Sequence, residues 1–233
     1  MGSAPKKETV RRMFDDISGK YDFLNHFFSF GIDHLWRKKL VRLLAPSKPL
    51  SILDVACGTG DLALSLARLR PQRIVGIDIS EKMLEIGRQK ISRKGQEPVI
   101  RLQLGDAEHI PFPDNTFDAV TVAFGVRNFD DLGLGLSEMR RVLRPGGYVL
   151  ILEFSHPTAF PMKQLYGFYS HAIIPAVGRL ISGSSTAYTY LPQSVDAFPS
   201  GKDFLEILDQ RGLVRVNQIS LTGGIASVYT GEK

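Results

Sequence analysis

Cysteine is almost absent: Cys57 is the only thiol in 233 residues. A lone cysteine excludes a disulfide framework and suits a reducing cytoplasm. No apolar run reaches the roughly 18 residues needed to span a bilayer, and no secretory signal is recognisable ahead of the first strand. The opening Met-Gly lacks the Ser or Thr of a myristoylation signal. There is no internal repeat and no low-complexity tract. The net charge is +5 and the isoelectric point about 9.3, a balance that permits an anionic membrane surface or a nucleic acid. The Lys and Arg residues are dispersed among acids rather than gathered in a stripe, which speaks against nucleic acid. The length suits one large α/β domain with an insertion.

What is present is organised around Leu50–Asp61, LSILDVACGTGD. A short, mostly apolar run ends at a glycine pair, as expected of a strand buried on both faces of a parallel sheet. Gly58 and Gly60 allow a sharp turn and a close approach of the backbone to a ligand. Leu62–Leu69 then repeats apolar residues at helical spacing. A strand–glycine turn–helix unit binds ligands at the carboxyl end of the strand. Asp54, placed before the glycines, argues against a dinucleotide.

Further units alternate. Arg73–Asp78 reads as the second strand, with Ser80 capping a helix over Glu81–Arg93. Asp78 closes its strand at the height of a bound ribose, where a carboxylate accepts both hydroxyls. Val99–Leu104, Phe117–Phe124 and Tyr148–Phe154 read as strands three to five, with a helix over Ser137–Leu143 and a turn at Arg144–Gly147. Ser200 is expected to cap a helix over Lys202–Gln210. Leu213–Ile219 and Gly224–Thr230 form a closing antiparallel hairpin.

Two segments stand outside this alternation. Residues 1–9 read as disordered, and residues 1–45 as an aromatic, partly helical cover holding Tyr21, Phe23, Phe27, Phe28, Phe30 and Trp36. The α/β domain then occupies 46–233. Within it, 155–199 is an aromatic insertion between strands five and six, expected to cover a substrate.

Taken together these residues resemble the UbiE/MenG family of quinone-biosynthesis C-methyltransferases, over about Val10–Gly231. The generic part of the resemblance is the Asp54–Asp61 loop with Asp78 and Asp106. The specific parts are Tyr21–Asn25 with Ser29–Gly31 and Trp36–Arg37, then Phe124–Asn128, and Arg141–Gly147 through Glu153–Ser155. Asp33–His34 and His156 depart from the family pattern. The resemblance implies a class I S-adenosylmethionine-dependent methyltransferase fold: a Rossmann-like, seven-stranded, mostly parallel sheet with an antiparallel C-terminal hairpin and a helical lid. It implies S-adenosylmethionine held by Asp54, Gly58, Thr59, Gly60, Asp78, Asp106, Ala107 and Ala123, and no metal. Arg127, Asn128 and Tyr21 are the implied catalytic residues, with Glu153, Tyr190 and His156 as further candidates. The implied acceptor is a prenylated hydroquinone, demethylmenaquinol above all, because Tyr188–Val195, Phe198–Pro199 and Thr222–Ala226 look like the menaquinone-only members. A dual role, or a methoxy-benzoquinol acceptor, is the alternative. Peripheral contact with the inner face of the membrane follows, helped by Lys6, Lys7, Arg11 and Arg12; a homodimer is left open. The competing classes are a dehydrogenase, an RNA methyltransferase and a non-catalytic binding partner.

Overall fold

The computed structural model describes residues 6–169 and 186–233. The middle of the expected insertion and the extreme N-terminus lie outside the described residues. Helices α1 (Lys6–Phe28) and α2 (Asp33–Leu44) precede β1 (Ser51–Val55), α3 (Asp61–Leu66), β2 (Arg73–Asp78), α4 (Glu81–Arg93), β3 (Ile100–Leu104) and β4 (Phe117–Ala123). Then come α5 (Leu132–Val142), β5 (Leu143–Phe154), α6 (Met162–Phe168), α7 (Thr186–Ala197), α8 (Lys202–Gln210), β6 (Val214–Leu221) and β7 (Ala226–Glu232). The seven strands form one sheet in the order β3-β2-β1-β4-β5-β7-β6. β1 to β5 run parallel, and β7 pairs antiparallel with both β5 and β6. This is the sheet expected from the sequence.

Period-two alternation divides the core between the two faces. Leu53, Val55, Val120 and Ile151 pack with Leu136 and Met139 of α5 and Phe204 and Leu208 of α8. Ile52, Ile74, Leu150 and Val228 face the other way, against Trp36 and Leu40 of α2, Leu62 and Leu66 of α3, and Leu84 and Ile91 of α4. β1 is therefore buried along its whole length. Helix α1 joins neither core layer; it packs across α4 and α7 at the carboxyl end of the sheet.

Several expected boundaries shift. Helix α1 begins at Lys6, so the stretch expected to be disordered through residue 9 is helical from there. Glu8 explains this physically: it lies in the first turn, where an acid favours the helix dipole, and it pairs with Arg11 and Arg12 one turn on. Ser80 does cap α4, its hydroxyl accepting the Met83 amide at 3.2 Å. Ser200 does not cap α8; Gly201 holds that position without a side-chain bond. Helix α5 starts at Leu132 rather than Ser137, because Asp131 accepts the Leu134 amide at 2.9 Å. β5 extends back to Leu143, taking in the expected Arg144–Gly147 turn.

Gly76 on β2 fixes how closely the glycine loop approaches the sheet. A Cβ there would stand 2.4 Å from Leu102 Cδ2 and 2.8 Å from Cys57 Sγ. Gly76→Ala should therefore destabilise the fold by about 1–3 kcal/mol through overpacking, read as a lower urea midpoint. An unchanged midpoint would show that Leu102 and Cys57 yield freely.

Candidate active site

Four segments converge beyond the carboxyl ends of the parallel strands. The loop after β1 takes three left-handed backbone conformations, at Ala56 (φ 50°), Gly58 (φ 53°) and Gly60 (φ 78°). This winds it tightly, with the Cys57 amide bonded to the Ile77 carbonyl at 3.0 Å and the Gly60 amide to the Cys57 carbonyl at 2.9 Å. Asp78, at the end of β2, clamps the loop by accepting the Gly58 amide at 2.8 Å and the Ser80 amide at 2.9 Å. Burial raises the Asp78 pKa despite these two bonds. After β3, Asp106 Oδ1 accepts the Glu108 amide at 3.0 Å. Across the opening, Lys7 of α1 meets Asp106 at 2.6 Å and Glu108 at 2.9 Å.

Between these groups runs a narrow cavity of about 70 Å³, lined by Gly58, Asp78, Met83, Asp106, Ala107, Ala123 and Asn128, with Lys7, Phe14 and Tyr21 of α1 as its cover. It continues into a smaller polar recess bounded by Asp54, Thr59, Asp61 and Arg37. Asp54 is fully buried; its Oδ1 accepts the Thr121 hydroxyl at 3.0 Å, while Oδ2 has no hydrogen-bond partner. A buried carboxylate oxygen with an empty lone pair is costly unless a ligand supplies a donor. Burial pushes the Asp54 pKa up to about 7, against the pull of Thr121 and the nearby Arg37 charge.

Asp54, with its unpartnered oxygen, would hold the ammonium of the methionine end of S-adenosylmethionine in this recess, and Arg37 would hold the carboxylate. Asp78, expected at the ribose, and Asp106 and Ala107, expected at the adenine, line the adjoining cavity together. Gly60 departs from expectation: it lines neither cavity and serves as the left-handed residue that starts α3. Thr59 is buried and donates its hydroxyl to Asp22 of α1 at 2.6 Å.

A second, larger cavity of about 290 Å³ adjoins the first, and Phe14, Tyr21 and Phe124 belong to both walls. Its lining is mostly apolar: Met13, Ile17, Trp36, Phe154, Leu165, Tyr166, Leu191 and Val195 among others. Arg127 projects into it, and Asn128 lines the cofactor side, so the three expected catalytic residues do come together around the shared wall. Arg127 Nη1 donates to Glu153 Oε1 at 2.7 Å and to the Phe124 carbonyl, and its Nε reaches Ser194 of α7 at 3.3 Å. Glu153, buried completely, anchors Arg127 and lines neither cavity. His156 is also outside, turned toward Val195 O and Asp196. Tyr190 lines the apolar cavity and donates its hydroxyl to Asn128 Oδ1 at 3.0 Å, joining α7 to the cofactor wall.

Arg37, Asp61, Lys90 and Phe14 went unread as site residues. Arg37 pairs in the buried state with Asp33 and stands 3.9 Å from Asp61, which Lys90 holds from the other side. The Trp36–Arg37 dipeptide was the available signal; its place at the recess depends on how α2 packs beside α3 and β5.

Two outcomes follow for the recess. Affinity for S-adenosylhomocysteine should rise as pH is raised through about 7, because ligand binding requires the ionised Asp54 and so expels a proton from the ligand-free protein. Asp54→Asn should flatten that profile in calorimetry; a pH-independent wild type would refute the role of Asp54. Arg37→Met should weaken S-adenosylhomocysteine by roughly tenfold or more through loss of a charge-assisted pair, yet leave 5′-methylthioadenosine, which lacks the carboxylate, unaffected. Equal losses for both ligands would make Arg37 merely structural.

The chain matches the model of the ubiE/COQ5 methyltransferase family over residues 3–233. It is 47% identical over 229 residues to the demethylmenaquinone methyltransferase of Bacteroides fragilis, covering 98% of this chain and 94% of that one. To the ubiquinone/menaquinone biosynthesis C-methyltransferase UbiE of Geobacter sulfurreducens it is 46% identical over 230 residues, covering 98% and 90%. Among solved structures it is similar in fold to a SAM-dependent methyltransferase of Thermotoga maritima, a possible histamine N-methyltransferase. The TM-score there is 0.66 at 20% identity, covering 95% of this chain and 99% of that one. A glycine loop, two strand-end acids and an orphaned buried carboxylate thus occur in a chain matched along almost its entire length, and the protein belongs to the ubiE/COQ5 methyltransferase family.

Proposed function

We propose that the protein methylates a ring carbon of demethylmenaquinol, using S-adenosylmethionine, to form menaquinol. The observation that carries this reading is the large apolar cavity sharing the wall Phe14–Tyr21–Phe124 with the cofactor cavity, with the fixed cation Arg127 inside it. A fused naphthoquinol ring, apolar along one side, suits a lining of Trp, Phe, Tyr and Leu. A methoxy-benzoquinol is the competing acceptor, and relatives carry names of both kinds.

Bound S-adenosylmethionine supplies an already electrophilic sulfonium methyl, so the protein's task lies with the acceptor. The ring carbon gains nucleophilicity when the neighbouring hydroxyl loses its proton. Arg127 cannot act as a base, but its guanidinium stabilises the developing phenolate and lowers that hydroxyl's pKa. Glu153 and the Phe124 carbonyl hold the guanidinium in place. Burial drives the Tyr166 pKa up to about 12, so this cavity-lining phenol stays neutral and offers a hydrogen bond rather than a negative charge. The one carboxylate lining the described cavity, Asp33, already accepts from Ser29, His26 and Arg37, which leaves it poorly suited to take the proton. The hydroxyl proton is therefore assigned to water, and once the ring carbon carries the methyl its own hydrogen leaves as a proton while the oxygen is reprotonated, restoring the hydroquinol with one proton released. Tyr21 and Asn128 orient the acceptor against the donor, and the enclosed geometry excludes bulk water from the reacting carbon.

The reaction is proposed to run at the cytoplasmic face of the membrane, where a polyprenyl tail resides. No helix among the described residues is long and apolar enough to cross a membrane. The cations first expected at the lipid are otherwise engaged: Lys7 with Asp106 and Glu108, Arg11 with Glu8 and Asp15, Arg12 with Glu8, and Lys6 with the Phe129 carbonyl.

The acceptor is tested by offering reduced demethylmenaquinone and the corresponding methoxy-benzoquinol side by side; faster methylation of the benzoquinol would overturn the assignment. For Arg127, the double variant Arg127→Gln/Glu153→Gln avoids leaving Glu153 charged and buried alone. It should lower kcat by about 100-fold, the scale of losing one donor to a developing oxyanion, while S-adenosylhomocysteine affinity holds. A kcat within a few-fold of wild type would remove Arg127 from the chemistry.

A further inference from the structure

Nine large apolar side chains are exposed among the described residues, and five of them belong to two segments at the mouth of the apolar cavity. Phe30 and Leu35 come from the α1–α2 connection and α2; Phe160, Leu165 and Phe168 come from the stretch around α6. Phe30 and Leu165 line the cavity and also face outward, so they form its rim. The two segments meet there, with the Phe30 ring 5.9 Å from that of Tyr169. Phe30 is 77% exposed and Phe160 82%. Phe30 also holds a left-handed backbone (φ 51°), an unfavourable state for a bulky residue that points its ring away from the core.

The exposed charges on the two rim segments are cationic, with Asp196 of α7, 3.5 Å from His156, the nearby acid. Helix α2 buries Asp33, Trp36, Arg37, Leu40, Val41 and Leu44, and its opposite face exposes Lys38, Lys39 and Arg42 beside Leu35. None of these three cations has an ion-pair partner among the described residues. Residues 155–169 carry exposed Lys163 and no carboxylate at all. Other exposed cations among the described residues are paired, as in Arg88–Glu81, Arg144–Asp118 and Arg215–Glu232, or unpaired, as Arg68, Arg70 and Arg101 are, but none of these stands beside a cluster of exposed aromatic rings. Exposed aromatics flanked by unpaired Lys and Arg match an anionic lipid interface: apolar rings enter the acyl boundary while cations meet the headgroups. A second copy of this chain fits poorly, because an isologous contact would set one cationic stripe against the other.

We infer that this rim is a membrane-docking surface: Phe30, Phe160, Leu165 and Phe168 insert into an anionic leaflet, Lys38, Lys39 and Arg42 hold it by charge, and the acceptor cavity opens directly into lipid. The inference rests on the reading of that cavity as the site of a membrane-borne acceptor. It moves the contact from the start of α1 to α2 and α6. An acceptor ring then enters from the bilayer while its tail stays in hydrocarbon.

The test uses the full chain and quinone-free vesicles of phosphatidylcholine, with or without phosphatidylglycerol. Wild type should sediment with the anionic vesicles and be released by salt. Phe160→Ser should weaken that partition roughly tenfold, the worth of one buried aromatic ring. Lys38→Ser/Lys39→Ser should weaken it roughly tenfold or more and flatten the salt dependence. S-adenosylhomocysteine binding, read by calorimetry, should be unchanged in both, since neither site touches the cofactor cavity. Wild type remaining in the supernatant with both vesicle types would overturn the inference, as would variants that sediment like wild type. A dimer in ultracentrifugation that Phe160→Ser abolishes, without vesicle binding, would give the face to a second copy instead. Methylation of a short-tailed, water-soluble demethylnaphthoquinol is measured separately. Its absence in wild type would sink the acceptor assignment and leave the vesicle result standing.

Discussion

One buried carboxylate with an unmet oxygen sets the terms for the rest of this molecule. Asp54 sits at the centre of the sheet, opposite Gly76 on β2 and Thr121 on β4. An acid in that position weakens the apoprotein, since burial in apolar surroundings disfavours its charge. The surroundings offset only part of this: Thr121 donates one bond and Arg37 contributes charge from α2. What remains is a site prepared for a cation. The same carboxylate would be a defect in a protein whose sheet had no ligand.

Helix α1 carries the second half of this arrangement. Lys7 reaches Asp106 and Glu108 at one end of the cleft, Asp15 accepts from Ser80 at 2.6 Å, and Asp22 accepts from Thr59 and Lys90 at the other end. From Lys7 to Asp22 the helix covers about 22 Å at 1.5 Å per residue, comparable to the length of an extended nucleoside–amino acid conjugate. Its polar contacts therefore fall along the cofactor cleft, while Met13, Phe14 and Ile17 turn to the acceptor cavity. One helix walls both sites. Whatever settles α1 against the narrow cavity therefore also shapes a wall of the larger one.

The strands were legible because they are governed by local chemistry. Short β-branched runs, glycine turns and a serine cap each announce themselves within a few residues, and Asp78 and Asp106 fall at strand ends where counting along the chain puts them. The methionine recess was not legible to the same degree. Arg37 and Asp61 lie 24 residues apart in sequence and meet only through the packing of α2 beside α3. Glu153 illustrates the same limit from the other side. Its position at the end of β5 suggested chemistry, but complete burial behind Arg127 makes it an anchor. Lys6, Lys7, Arg11 and Arg12 look free in a list of charges, yet Arg11 and Arg12 pair within α1, Lys7 meets Asp106 and Glu108, and Lys6 bonds the Phe129 carbonyl.

Phe124 draws these strands of argument to one point. It follows β4 in a left-handed conformation (φ 60°), which costs a bulky residue on the order of 1–3 kcal/mol. An extended residue there would send its ring to one face of the sheet. The left-handed turn instead lays the ring against Phe154 at 4.6 Å and Trp36 at 6.0 Å, in the wall common to both cavities. The same turn directs its carbonyl to Arg127 while its amide still bonds the Leu152 carbonyl at 2.7 Å. A glycine would adopt this backbone without strain, but it would leave donor and acceptor cavities without the ring that separates them. The strain is thus located where donor and acceptor must be brought together, and the sheet bonds of β4 and β5 hold it there.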